Sequence, residues 1–327
     1  MRFLKRHPQL VDLALLPFTI AAAATMWAIR RFGIERLPRT LRVFRRIGIF
    51  PLRDHYYEPL FNTKTLRHSL AKDRSLPGLD MNVGEQLDLL KKFDYNDELA
   101  DIPLSERRDQ EFYYDNGMFG CGDAEYLYNV IRFYKPRRLI EVGSGHSTLL
   151  AASAIRANRN ADPQYKCRHI CIEPYEAPWL DSLDIELIRE PVERMDVQIF
   201  NQLERNDILF IDSSHVIRPQ GDVLYEYLEI LPTLNTGVLV HVHDIFTPKD
   251  YPEEWLDQRV LFWNEQYLLE AFLSFNAKFE VVGALNFLKH RFPEQLTNCC
   301  PALRAQIDSG ETSSYLCEPR SFWIRRI

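Results

Sequence analysis

Two short stretches of the sequence place acidic and histidine side chains directly after apolar runs. Asp212 and His215 follow ILFI, while His243 and Asp244 lie at the end of GVLVHVHD. Because histidine titrates near pH 6.5, we predict that His215 is a general base and that Asp212 orients it. Asp212, His243 and Asp244 also offer the oxygen and nitrogen donors that a Mg²⁺ or Mn²⁺ ion accepts. The metal-free site is the favoured prediction, and the metal site is the alternative.

A pair of histidines shares one face of the second stretch. His241 and His243 alternate with valines, so on a β-strand both side chains point the same way. His243 is nearer the end of the strand, where ligands bind in open α/β sheets, and it is predicted to be the third catalytic residue. An ordinary core position is the alternative for both.

A glycine turn follows another apolar run, in LIEVGSGHST from Leu139 to Thr148. A triphosphate-binding loop is excluded because no lysine follows the turn, and a dinucleotide fingerprint is incomplete because Thr148 stands where its third glycine would be. The turn can still bring backbone close to a ligand at a helix N-terminus. The residues predicted to bind that ligand are Gly143, Ser144, Gly145, His146 and Ser147.

Two glutamates indicate which ligand the turn would hold. Glu173 ends the next strand, in ICIEP, and could accept hydrogen bonds from both ribose hydroxyls of a nucleoside. Glu141 lies in the strand before the glycines, where a carboxylate favours the positive charge of S-adenosylmethionine and repels a pyrophosphate. These residues favour S-adenosylmethionine, and NAD remains the competing ligand.

Apolar strands alternate with helices from about Asp123 onward. RRLIEV, HICIEP, IELIRE, DILFID and GVLVHVHDIF read as strands, while DAEYLYNVIRFY, STLLAASAIRAN, VLYEYLEILPTL and NEQYLLEAFLSF read as helices. Asp123 is the expected N-cap of the first of these helices. The pattern predicts an α/β fold with a largely parallel sheet that is covered on both faces.

At these motifs the sequence resembles the class I S-adenosylmethionine-dependent methyltransferases. EVGSGHST, CIEP and ILFIDSSH resemble their first, second-strand and fourth-strand motifs, and SFWIRR resembles their last antiparallel strand. The segment from FIDSSH to HDIF is similar to bacterial methyltransferases of small molecules and surface glycans. The resemblance implies a Rossmann-like, doubly wound, mostly parallel seven-stranded sheet. It also implies that the cosubstrate is contacted by Glu141, Gly143, Gly145 and Glu173, with Asp212 beside it.

The N-terminus is apolar and then strongly basic. Leu13–Ile29 contains no charged residue, and this length is at the lower limit for a membrane-spanning helix of about 17–25 residues. Arg2, Lys5 and Arg6 precede it and seven arginines follow it between residues 30 and 46, which favours a cytoplasmic C-terminal side. We predict membrane association through residues 10–46 at the inner face; a secretory signal and a soluble helix are the alternatives.

Composition limits the remaining possibilities. The 327 residues carry a formal charge of -6, which argues against a nucleic-acid partner, and the six cysteines show no CxxC spacing for zinc. The expected divisions are a membrane-associating segment (1–48), a linker and helical cap (49–110) and a methyltransferase domain (111–327). The predicted activity is O-methylation of a sugar or another small acceptor, free or lipid-linked. A non-catalytic scaffold and an NAD-dependent oxidoreductase are the alternatives.

Overall fold

The computed structural model describes residues 8–60, 62–108, 110–175, 177–310 and 318–327. The chain divides into two units, Met1–His68 and Ser69–Ile327. This division differs from the predicted boundaries at 48 and 110, because residues 69–110 belong to the unit that contains the sheet. The side chain of Gln86, for example, accepts a hydrogen bond of 2.7 Å from the backbone N–H of Ala284.

In its described residues, the first unit contains two α-helices, α1 (Pro8–Phe32) and α2 (Pro38–Ile47). In the described part of the chain, α1 is long and apolar enough to cross a membrane, and none of its residues is buried. The flanking residues Arg2, Lys5 and Arg6 lie outside the described residues. The apolar run read from the sequence is therefore confirmed as a helix, which extends beyond the run at both ends.

The second unit alternates strands and helices. Its strands are β1 (Arg138–Val142), β2 (Arg168–Ile172), β3 (Glu186–Ile188), β4 (Ile208–Ile211), β5 (Leu239–Val242), β6 (Phe279–Ala284) and β7 (Phe322–Arg326). Its α-helices are α3 (Val83–Leu90), α4 (Asn96–Ala100), α5 (Asp123–Tyr134), α6 (His146–Ala161), α7 (Asp222–Tyr225), α8 (Glu265–Leu273), α9 (Leu285–Arg291), α10 (Pro293–Thr297) and α11 (Pro301–Ser309).

The seven strands form one sheet in the order β3-β2-β1-β4-β5-β7-β6. Strands β1 to β5 are parallel, and β7 is antiparallel to both of its neighbours. The mostly parallel, seven-stranded prediction is therefore confirmed. The direction of winding reverses between β1 and β4, and ligands of such sheets bind outside the carboxyl ends of the strands at that point. The glycine turn follows β1 and Asp212 follows β4, so both lie at this crevice.

The hydrophobic core lies on both faces of the sheet. Alternate residues of β1 point to opposite faces: Leu139 packs in one cluster of buried side chains and Ile140 in the other. One cluster contains Tyr126 and Trp323, and the other contains Phe200 and Tyr227, all fully buried. With both faces covered, the strand ends are the part of the sheet that remains open to a ligand.

Two local predictions are wrong. Asp123 is the first residue of α5 and does not cap it; its carboxylate accepts the backbone N–H groups of Arg320 (2.9 Å) and Ser321 (2.7 Å) and so fixes the entry to β7. The predicted helix VLYEYLEILPTL is helical up to Thr233, but it is not an α-helix throughout, since α7 passes into a π-helical turn over Glu226–Ile230 and a 3₁₀ turn over Leu231–Thr233. Pro232 has no N–H to donate to a continuing α-helix.

Candidate active site

A cavity of about 810 Å³ lies at the carboxyl ends of β1, β2, β4 and β5. The glycine turn, with Glu173, forms one wall, and the residues after β4 and β5 form another. Trp255 and Trp263, from the segment that follows β5, also line the cavity, as do Arg218 and Arg320. The volume is that of a pocket for a small-molecule ligand.

The two glycines of the turn serve different purposes. Gly143 has a φ of +78°, and a Cβ atom there would overlap the backbone oxygen of Asp212. At Gly145 the backbone is extended, and a Cβ would have no protein atom within 4 Å. Gly143 is thus required by the contact between the ends of β1 and β4, whereas Gly145 leaves open space at the start of α6.

Glu141 lies behind the turn, and the described lining of the cavity does not include it. Its carboxylate is fully buried, contacts the His169 ring, and accepts hydrogen bonds from the hydroxyls of Ser147 (3.1 Å) and Thr148 (2.9 Å). The Thr148 hydroxyl in turn accepts the Gly145 N–H at 3.1 Å. This geometry does not support the predicted contact of Glu141 with the cosubstrate. Instead Glu141 and Thr148 fix the shape of the turn.

Glu173 and His146 face the cavity as predicted. The carboxylate of Glu173 accepts the backbone N–H groups of Ser144 (3.3 Å) and Tyr175 (2.9 Å). His146 is half-buried beside Tyr113, at a ring separation of 5.7 Å, and burial lowers the pKa of its imidazole. At neutral pH this wall therefore presents an uncharged imidazole beside the side chain of Glu173.

The residues after β4 and β5 form a compact cluster. The Nε2 atom of His215 lies 3.3 Å from Oδ1 of Asp212 and 3.4 Å from Oδ2 of Asp244. His243 joins them, with Nδ1 at 3.4 Å from Asp212 and 3.6 Å from Asp244. All four side chains line the cavity. The structure therefore brings together every catalytic and metal-binding candidate that the sequence indicated.

His215 is held from behind by a residue that the sequence analysis missed. Its Nδ1 lies 2.7 Å from Oε2 of Glu265, a fully buried side chain whose other oxygen accepts the Tyr227 hydroxyl at 3.1 Å. The backbone oxygen of His215 accepts the N–H groups of Asn264 and Glu265, and φ at His215 is +60°. A non-glycine residue in this region persists only when its surroundings enforce it. These contacts orient the ring so that Nε2 lies next to Asp212 and Asp244, which line the cavity.

The two histidines of β5 have different surroundings. His241 is fully buried, stacks on Phe210 at a ring separation of 3.9 Å, and lies 2.9 Å from the Ser321 hydroxyl. His243 lines the cavity, and its Nε2 atom lies 3.5 Å from Asp123. Both rings point to the same face, but only His243 reaches the cluster. The structure thus places His243 where a ligand can meet it and His241 in the core.

The charges in this cluster depend on one another. Burial alone would lower the pKa of His215, but its hydrogen bonds to Asp212 and Glu265 raise that pKa well above its usual value. Burial likewise opposes charge on His243, yet the carboxylates of Asp212 and Asp244 raise its pKa to about 10. Burial favours neutral Asp212, but the two histidines hold its pKa well below its usual range. At neutral pH His215 and His243 are therefore imidazoliums beside the carboxylate of Asp212.

Arg320 is a second residue that was missed. Its Nε lies 2.8 Å from Oδ1 of Asp244, and its guanidinium also donates to the backbone oxygen of Met118 at 2.7 Å. It stands just before β7, whose first residue pairs with Val242 at the end of β5. An antiparallel last strand necessarily starts where β5 ends, so the resemblance of SFWIRR to such a strand was a usable signal. Glu265 had no such signal.

Parts of the chain are similar to known proteins. A family model described as a methyltransferase domain matches residues 140–245, from β1 to just beyond β5. An uncharacterized protein of Archaeoglobus fulgidus is 33% identical over 180 residues, covering 51% of this chain and 79% of that protein. Among solved structures, an O-methyltransferase of Bacillus cereus in complex with SAH aligns with a TM-score of 0.32 at 12% identity, covering 59% of this chain and 82% of that one.

The matched segment contains the glycine turn, Glu173 and the histidine–carboxylate cluster. This match identifies a methyltransferase domain in the chain, which confirms the methyltransferase resemblance read from the motifs. The chain belongs to the same family as the Archaeoglobus fulgidus protein.

Proposed function

We propose that the protein transfers a methyl group from S-adenosylmethionine to a hydroxyl of a small polar acceptor, with His215 as the general base. The observation that carries this proposal is the position of His215, which lines the cavity with its Nε2 at 3.3 Å from Asp212 while its Nδ1 is held 2.7 Å from Glu265. A carboxylate that accepts a hydrogen bond from Nδ1–H keeps the proton of the neutral ring on Nδ1. Nε2 is then the atom that can take the proton of the substrate hydroxyl.

In this reaction the acceptor oxygen attacks the methyl carbon in line with the departing sulfur. The carbon–sulfur bond breaks with its electron pair going to sulfur, and the hydroxyl proton goes to Nε2 of His215. Bound S-adenosylmethionine adds a positive charge to the cavity, and a like charge lowers the pKa of a nearby imidazolium. Donor binding thus favours the unprotonated His215 that the reaction requires.

The aromatic wall supports a sugar or another polyol as the acceptor. The Trp263 ring lies 4.4 Å from the His215 ring and 4.9 Å from the Trp255 ring, so a ring stacked on Trp263 would place its hydroxyls close to Nε2. Tyr267, the next aromatic residue along the chain, is not among the described lining residues, and its hydroxyl donates a 3.0 Å hydrogen bond to Asp250. A free sugar and a lipid-linked glycan share this chemistry, and acceptor screening separates them.

A metal-assisted route is the second candidate, because ligand atoms of Asp212, His215 and Asp244 lie within 4.8 Å of one another. Magnesium prefers oxygen ligands in an octahedral site and fits this set poorly; manganese or another ion that accepts imidazole nitrogen fits better. Such an ion would polarise the acceptor hydroxyl, and Asp212, Asp244 and one histidine would hold it. Treatment with EDTA distinguishes the routes: unchanged activity supports His215 as the base, and a loss reversed by Mn²⁺ supports the metal.

The pH dependence should report the protonation of His215. Since its pKa is raised, methyl transfer should accelerate as pH rises from neutral through that pKa, giving an alkaline optimum. Glu265→Gln removes a carboxylate that raises this pKa, so the rising limb should move to lower pH and kcat should fall. Rate profiles of both proteins at saturating donor test this. An unmoved limb would exclude Glu265 as the residue that tunes His215.

The proposed function is tested with the full chain and methyl-labelled S-adenosylmethionine. Calorimetry should show binding of the donor and of S-adenosylhomocysteine, weakened by Glu173→Ala, and no binding of NAD. Labelled product should then form with an acceptor from a panel of sugars, polyols and lipid-linked glycans. Donor binding with label found on a nitrogen or carbon acceptor would overturn the hydroxyl proposal. Donor binding without turnover on any member of a wide panel would favour the scaffold alternative.

A further inference from the structure

The helix α1 has the dimensions of a membrane-spanning element. Its 25 residues, at about 1.5 Å each, extend about 37 Å, which exceeds the hydrocarbon thickness of about 30 Å. Its most apolar window has a mean hydropathy of 1.7, and none of that window is buried. A core helix of a soluble domain would bury its apolar side chains, so this helix is suited to an apolar environment outside the protein.

The helix α2 that follows has two distinct faces. With 3.6 residues per turn, its four arginines share one half of the circumference: Arg39, Arg42, Arg45 and Arg46. Its apolar side chains occupy the other half: Leu41, Val43, Phe44 and Ile47. Of these, Phe44 packs edge-to-face on Phe50 at 6.4 Å, while Val43 and Ile47 are 53% and 64% exposed. A basic face opposite an exposed apolar face is typical of helices that lie in a membrane interface.

The basic face is available to an anionic surface. Among the described residues, none of its four arginines has a carboxylate within ion-pair distance, whereas Arg30 pairs with Glu58 at 2.6 Å. Residues 30–47 contain seven arginines and one glutamate, a formal charge of +6 in a chain of -6, so the remainder carries -12. Positive charge is thus concentrated beside α1, while the rest of the chain would be repelled by an anionic surface.

We propose that α2 lies in the plane of an anionic membrane leaflet, with its arginines among the lipid phosphates and Val43 and Ile47 at the acyl boundary. The positive charge of α2 favours an anionic surface as its partner. Because the apolar helix α1 precedes α2 in the chain, a lipid bilayer is favoured over a soluble acidic protein. The excess of arginine after α1 places this surface on the cytoplasmic side. The proposal is independent of the acceptor and of His215.

The test is amide hydrogen exchange of the full chain in phosphatidylcholine bilayers with and without phosphatidylglycerol. Amides of residues 38–47 should exchange at least about tenfold more slowly when the anionic lipid is present. The combined change of Arg39, Arg42, Arg45 and Arg46 to glutamine should abolish that difference. A control with the same loss of charge, glutamine at the exposed Arg107, Arg108, Arg156 and Arg194, should retain it.

Three results would overturn the proposal. Equal exchange of residues 38–47 in both bilayers would show that α2 does not recognise anionic lipid, and an equal effect of the two variants would show that net charge alone matters. A chain isolated from cells that begins after residue 32 would show that α1 is a removed signal. Methyl-transfer activity measured in detergent is expected to be the same for both variants. A negative result for membrane binding would therefore not contradict the proposed reaction.

Discussion

Glutamine in place of His215 should lower kcat by about 10²–10⁴-fold, the usual contribution of a positioned general base, without weakening the affinity for S-adenosylmethionine. Glutamine keeps a polar side chain between Asp212 and Asp244 but cannot accept the acceptor's proton. The measurement is steady-state methyl transfer, together with calorimetric binding of the donor.

The matched control is His290→Gln, because His290 is 40% exposed at its side chain and contacts Glu318 away from the cavity. It should retain full activity. If His215→Gln also retains most of its kcat, the base lies elsewhere. If His215→Gln loses donor affinity in proportion to kcat, His215 is a binding residue, and the mechanism proposed above is wrong.

Alanine at Gly143 should destabilise the sheet unit by about 4 kcal/mol. Roughly 1–2 kcal/mol of this comes from the positive φ, and the rest comes from displacing the backbone at Asp212, which a Cβ would overlap. Because Asp212 belongs to the histidine–carboxylate cluster, any protein that still folds should also lose activity. Chemical unfolding monitored by circular dichroism gives the free energy of unfolding.

Alanine at Gly145 provides the contrasting variant in the same turn. Its extended backbone and open surroundings accept a Cβ without strain, so stability should change by less than about 0.5 kcal/mol. The added methyl would instead occupy space at the N-terminus of α6 and weaken donor binding. Equal stability losses in the two variants would contradict the distinction drawn between the glycines, and unchanged donor affinity in Gly145→Ala would place the donor elsewhere.

Much of the fold could be predicted because each buried parallel strand is a short apolar run that ends in a polar or glycine residue. Such runs identified β1 to β5 directly, and the resemblance supplied the antiparallel β7. Strand β6, FEVVGA, was not assigned, since a short apolar run between helices has no periodicity to separate it from a buried helical turn. The change from α-helix to π-helical and 3₁₀ turns after α7 was also not predicted, although Pro232 is a signal for it.

The residues of the candidate site that directly follow strands could be predicted from the sequence. Those that lie in other segments of the chain could not. Asp212, His215, His243 and Asp244 were found because they end β4 and β5. Glu141 was predicted to contact the ligand because an acidic residue near a glycine turn suggests such a contact, whereas the structure shows that its carboxylate accepts hydrogen bonds from Ser147 and Thr148. Glu265, Asp123 and Arg320 reach the cluster through long-range packing, which local patterns do not encode.

The pairing of β7 with β5 and β6 has a consequence for when the enzyme becomes active. Arg320 and Asp123 are 197 positions apart in sequence, yet they meet at the edge of the cluster, and Arg320 also contacts Asp244. Contacts between such distant segments carry the largest loop-closure cost and form late in folding. A chain that has assembled its parallel strands but has not docked β7 lacks these supports for His243 and Asp244. We therefore expect methyl transfer to rise as β7 docks, because until then two groups that position His243 and Asp244 are not in place.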